Sequence, residues 1–162
     1  MSNQQIVWKN GKQWLNQLVI LHSALVIGVV AISLVIYSIS EPVSGGYESS
    51  LIPASDVIGA VLAFGAIIAS NFIYQSRLPK IQKEMGLENK LLQFRSSLII
   101  SYAILEFGCL ANIVLAFISG NVFNLYIALV LAILFFLKRP TKEKVFKDLM
   151  LSKDEIRDFE QK

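Results

Sequence analysis

Thiol and imidazole chemistry have almost nothing to work with in this chain, which holds one cysteine, Cys109, and one histidine, His22. That excludes an intramolecular disulfide, a thiolate metal cluster and a multi-histidine site within one chain, and any haem or copper ligation would have to be shared between chains. Charge is also scarce. Asp, Glu, Lys and Arg make up 17% of the residues, below the roughly 25% of soluble domains, and the mean hydropathy is +0.57. Disorder, a coiled coil and an ordinary soluble enzyme are thereby excluded. Catalytic signatures are missing too: there is no Gly-rich phosphate loop, no HExxH, no Ser, His and Asp set at membrane depth and no pair of intramembrane aspartates. The sequence therefore reads as a non-enzymatic chain with no catalytic residues, no metal site and no cofactor.

What is present is apolar, gathered into four runs. Each is long enough, or nearly so, to cross ~30 Å of hydrocarbon at ~1.5 Å per helical residue. The first runs from Leu18 to Ile39 and reads as an uncleaved helix, because SEPVSGGYESS after it is a poor cleavage site. Upstream, Trp8 and Trp14 bracket a break at Asn10-Gly11 and read as indole rings at headgroup level. The second run is Val57 to Tyr74, with Ser55 or Asp56 as its cap. The third, Leu98 to Ile118, and the short fourth, Val122 to Leu137, are separated only by a tight turn at Ser119-Gly120-Asn121, so they form a helical hairpin. The expected fold is an all-α integral membrane four-helix bundle, one membrane domain with the lipid bilayer as its surroundings.

The basic residues orient it. All 15 Lys and Arg fall before the first run, between the second and third (Gln75 to Ser97), or after the fourth (Lys138 to Lys162). The two opposite connections, Ser40 to Asp56 and Ser119 to Asn121, hold none. The positive-inside rule then makes the side that holds the N and C termini and the central loop cytoplasmic. The net charge of +3 and pI near 9.0 serve this topology, so no nucleic acid is expected as a partner.

The polar-side segments read as short helices. KIQKEMG puts Ile81 and Met85 on one face and stops at Gly86, whereas ENKLLQFRSS runs unbroken into the third span, so that helix protrudes. After Pro140, Thr141 caps a helix lined by Val145, Phe146, Leu149 and Met150. Ser152 and Glu155 then form a capping box ahead of Ile156 and Phe159. These faces lie on the membrane surface, on each other, or against a soluble partner.

A few residues invite a functional reading. Gly59, Ala63, Ala66 and Ser70 recur every three or four residues and share one helix face, a close-packing seam either within the chain or in a homo-oligomer. Asn71 points away from it, toward water. Glu106 lies within ~3 Å of the middle of the third run, where an acid costs on the order of 3 kcal/mol on the lenient insertion scale. It is expected to face the interior, protonated and donating a hydrogen bond, with Tyr102 one turn away; together they are the candidate ion-binding pair. Asn112 is ~120° around the helix from Glu106 and instead shares a small polar face with Ser101, Gly108 and Ser119. His22 reads as snorkelling to the interface, with a proton relay to Glu106 as the sharper alternative.

The stretch FRSSLIISYAILEFGCLANIVLAFISGN, with LKRPTKEKVFKDLMLS after it, spans residues 94–152 and resembles small uncharacterised bacterial four-span inner-membrane proteins. The resemblance implies a shared topology and the bacterial inner (plasma) membrane as location. Val57 to Phe117, a Gly- and Ala-rich helix, a polar loop and a helix with one mid-membrane carboxylate, is similar in plan to the ATP synthase c-subunit hairpin, though with a longer loop and two further spans. That similarity implies proton binding at Glu106. The functional expectation is an accessory or structural subunit that assembles by helix packing, as a homo-oligomer or in a larger membrane complex. The alternative is a proton- or cation-translocating component.

Overall fold

The computed structural model describes residues 11–39, 54–81 and 85–161. The expected ring of Trp8 at the headgroups, the Ser40 to Pro53 connection and part of KIQKEMG lie outside them. Among the described residues every regular element is helical: α1 (Gly11–Ile39), α2 (Ala54–Arg77), a 3-10 turn (Leu78–Lys80), α3 (Leu87–Ser119), α4 (Phe123–Leu137), α5 (Lys142–Asp148) and α6 (Lys153–Gln161). Helices α1, α2 and α3 are long and apolar enough to cross a membrane. A fourth such span exists if α4 is counted with α5, which bends 75° away from it. This is a helical membrane protein.

The breaks follow local chemistry. Gly86 is extended (φ −60°, ψ 150°) and caps the start of α3, so it begins a helix where the sequence suggested it would end one. Gly120 ends α3 with φ 65°, the left-handed backbone that a side chain disfavours. The chain then reverses at once, with Asn121 Oδ1 accepting from the Phe123 amide at 2.9 Å. Pro140, which has no N–H to continue a helix, sits at the bend between α4 and α5. Thr141 caps α5 through the Lys144 amide, 3.3 Å away. The reciprocal bonds of Ser152 and Glu155 open α6.

Helix α3 is central, flanked by α2, α4 and α1. One core region, at the end of the molecule that carries the basic residues, contains Trp14, Leu18, Phe94, Tyr102, Phe135 and Phe159. The other, toward the α3–α4 turn, contains Val29, Ala63, Cys109, Ile113 and Ala128. Outward-facing positions are strongly apolar, among them Ile20, Phe64, Phe72, Phe107 and Leu137. With lipid on that surface, burial of oil gives no drive to assemble the helices, and close packing and hydrogen bonds must hold them.

Some sequence expectations are corrected here. Trp14 is enclosed completely, its ring 6.3 Å from Phe94 and 6.2 Å from Phe159, rather than floating at headgroup level. The cause is α6, which folds back onto the start of α1, where Gly11 gives it room against Phe159. Met150, expected on the inner stripe of α5, is 70% exposed because the chain leaves the helix there with φ 47°. Ser55 and Asp56 lie inside α2 as described rather than capping it.

Candidate functional site

The small residues of α2 come first, because they set how closely the helices approach. Gly59, Ala63, Ala66 and Ser70 are all buried within the chain. A Cβ on Gly108 would lie 2.6 Å from that of Ala66, so α2 and α3 touch almost backbone to backbone. The same seam is stitched by polar groups. Ser70 and Ser101 share a hydrogen bond of 2.7 Å, and Asn112 Nδ2 donates to the Gly59 carbonyl at 3.2 Å and to the Gly108 carbonyl at 2.9 Å. Ser119, grouped with them by sequence, is exposed and bonds back to the Leu115 carbonyl.

Toward the α3–α4 turn, Asp56 is buried and accepts from Asn121 Nδ2 at 2.5 Å and, at 3.4 Å, from Asn124 Nδ2. Asn112 Oδ1 and Asn124 Oδ1 are both buried without a hydrogen-bond donor, and both crowd Gly59 where a side chain would begin. Glycine at position 59 is thus the one residue type that lets two amides pack against this stretch of helix backbone.

His22 does not snorkel. It is fully enclosed, its Nε2–H donating to the Phe135 carbonyl at 2.9 Å and its ring set edge-on between Tyr102 (4.9 Å) and Phe135 (5.1 Å). Each such ring pair contributes about 1 kcal/mol. Tyr102, in turn, donates its phenolic proton to the Lys138 carbonyl at 3.1 Å. It is a brace between α3 and the end of α4, and its hydroxyl is not spent on Glu106.

Glu106 sits on the shoulder of α3. Its neighbours around the helix are buried Tyr102, Cys109 and Ile113 on one side and exposed Ala103 and Phe107 on the other. The side chain is partly buried, and among the described residues it has no hydrogen bond or ion pair. His22 gives its Nε2–H to the Phe135 carbonyl and its Nδ1 has no partner, so among the described residues no hydrogen bond joins it to Glu106.

At the basic end a polar pocket lies where α2, α3, the end of α4 and α5 meet. Lys138 Nζ donates to Asn71 Oδ1 at 2.6 Å and to Ser70 Oγ at 3.1 Å. Tyr74 gives its phenolic proton to Asp148, and Lys144 Nζ stands 5.0 Å over the Tyr74 ring. Burial pushes both lysines below the ordinary lysine range, Lys138 further so because of the charge on Lys144. The sequence reading did not single out this group. The available signal was Tyr74 four residues beyond Ser70, which continues the buried stripe of α2 with a hydroxyl. No group of His, Cys, Asp and Glu among the described residues is arranged to hold a metal ion. No family model, curated protein or solved structure matches the chain.

Proposed function

We propose that this chain is a non-enzymatic accessory or structural subunit of the bacterial inner membrane, a four-helix bundle with both termini and the basic end in the cytoplasm. The observation that carries this reading is Glu106. A carboxyl near the middle of an apolar span costs on the order of 3 kcal/mol unless it finds a partner, and among the described residues it has none. Its place on the shoulder of α3, beside exposed Phe107, puts it within reach of a helix from another chain. The small-residue face of α2 is already occupied inside the bundle, so assembly falls to this outer surface.

Native mass measurement after gentle detergent extraction tests the reading. The wild type should run as a defined oligomer or complex, Glu106→Gln should keep it in part by retaining hydrogen bonding, and Glu106→Leu should release the monomer. A wild-type monomer, or an unchanged mass for Glu106→Leu, overturns it. A second reading, proton or cation translocation through Glu106, draws on the same residue because its side chain is not fully enclosed. Proton flux in reconstituted vesicles that is unchanged by Glu106→Gln dismisses that alternative.

A further inference from the structure

The pocket at the basic end has features that helix packing does not need. It encloses a cavity of about 180 Å³ walled by Asn71, Ser101, Tyr102, Lys138, Lys144 and Asp148, among others. A larger cavity of about 630 Å³ lies between the end of α2 and α5 and shares Gln75 and Asp148 with it. The larger one is lined further by Leu78, Pro79 and Ile81 just past the end of α2 and by Lys147, Leu149 and Met150 at the end of α5 and just beyond it. The two adjoin at Gln75 and Asp148 and make up a recess at the basic end.

Two ammonium groups line the small cavity from different elements, Lys138 past the end of α4 and Lys144 in the first turn of α5, and Lys147 of α5 lines the larger one. Lys138 and Lys144 are close enough for Lys144 to disfavour the charge on Lys138. Their local neutralisation is incomplete. Among the described residues Asp148 is the only acid lining the small cavity; its charge favours the ammonium of Lys144, but it is bonded to the Tyr74 phenol and makes no ion pair with either lysine. Lys144 Nζ has a ring beneath it and no hydrogen-bond acceptor among the described residues, and Lys138 has one of its three protons unassigned. Like charges held together in a half-desolvated site are destabilising unless an anion joins them.

We propose that this recess binds a phosphate group, with Lys144 and Lys138 as its cationic contacts. A tetrahedral phosphate offers acceptor oxygens in several directions, so it can take protons from lysines on two separate elements at once. It can come from an anionic lipid headgroup or from a soluble phosphate. Phosphate binding does not rest on the assembly reading above; only entry from the cytoplasm rests on the orientation.

The test uses the full chain in neutral detergent, with thermal unfolding followed in inorganic phosphate against chloride of matched ionic strength. A second arm compares phosphatidylcholine bilayers with and without phosphatidylglycerol. For a soluble source, phosphate at tenfold over its Kd should raise the melting temperature by about 3 °C. For a lipid source, only phosphatidylglycerol should do so. In either case Lys144→Gln should abolish the rise and Lys144→Arg should keep it, each measured against that variant's own baseline. Lys138→Gln serves as the second neutralising variant if Lys144→Gln does not fold. No rise in either arm, or an equal rise in the neutralised variant, overturns the proposal.

Discussion

Gly59 and Gly65 lie on the same helix six positions apart and differ in everything that surrounds them. A methyl group on Gly65 meets nothing within 4 Å, whereas on Gly59 it would collide with the amide oxygens of Asn124 and Asn112. Neither amide can swing away freely, because Asn112 is tied to two backbone carbonyls and Asn124 to Asp56. Gly59→Ala should therefore destabilise the protein by about 1–3 kcal/mol, as overpacking does, while Gly65→Ala should leave the melting temperature in detergent unchanged or slightly raised. Equal melting temperatures for the two variants would remove the steric argument. The spacing of small residues on α2 was visible in the sequence. The reason for Gly59 was not, since it depends on two asparagines from other helices. His22 was misread in the same way: its depth suggested an escape to the interface, but the carbonyl that satisfies it belongs to Phe135, far along the chain.

At the scale of elements, the apolar runs and punctuation at Gly120, Pro140, Thr141 and Ser152 were legible because they act locally. The docking of α6 was not, because it joins the two ends of the chain. Its anchor is Lys90, 4% exposed, paired with Glu155 at 2.5 Å, together with Phe159 against Trp14. Desolvation is the largest single influence on Glu155 and pushes its carboxyl up, but the bonds from Lys90 and Ser152 together outweigh it and hold it below the ordinary value of 4.5. A carboxyl held low in the folded state contributes stability that is complete above the free carboxyl range and is lost as pH falls through the folded value. Helix α6 should thus stay docked at pH 7 and loosen as the pH falls below the ordinary carboxyl range, read as faster limited proteolysis after Ser152 by an acid-active protease. Glu155→Gln strands a buried ammonium and should lower stability at pH 7 by about 2–3 kcal/mol, and it should flatten the acid step. An acid step of full size in that variant would place the titration elsewhere.

For the whole molecule, the distribution of charge constrains orientation more tightly than any packing detail. Packing is indifferent to which end of the bundle faces which compartment, whereas insertion is not, and Lys and Arg near span ends resist translocation. The polar groups at the two ends differ accordingly: the α3–α4 turn end carries Asp56 with Asn121 and Asn124, and the other end carries Lys90, Lys138 and Lys144. Both were present in the sequence as composition, but the three-dimensional partners were not. With Cys109 replaced by alanine to give a thiol-free background, a cysteine at Ser44 should react with a membrane-impermeant maleimide on intact cells. A cysteine at Lys153, in the exposed first turn of α6, should react only after the membrane is opened. The reverse pattern would turn the bundle over and move the phosphate recess to the outer face. Labelling of both from outside would mean an odd number of crossings, and α4, at 15 residues the shortest of the four, would then be the helix that fails to span.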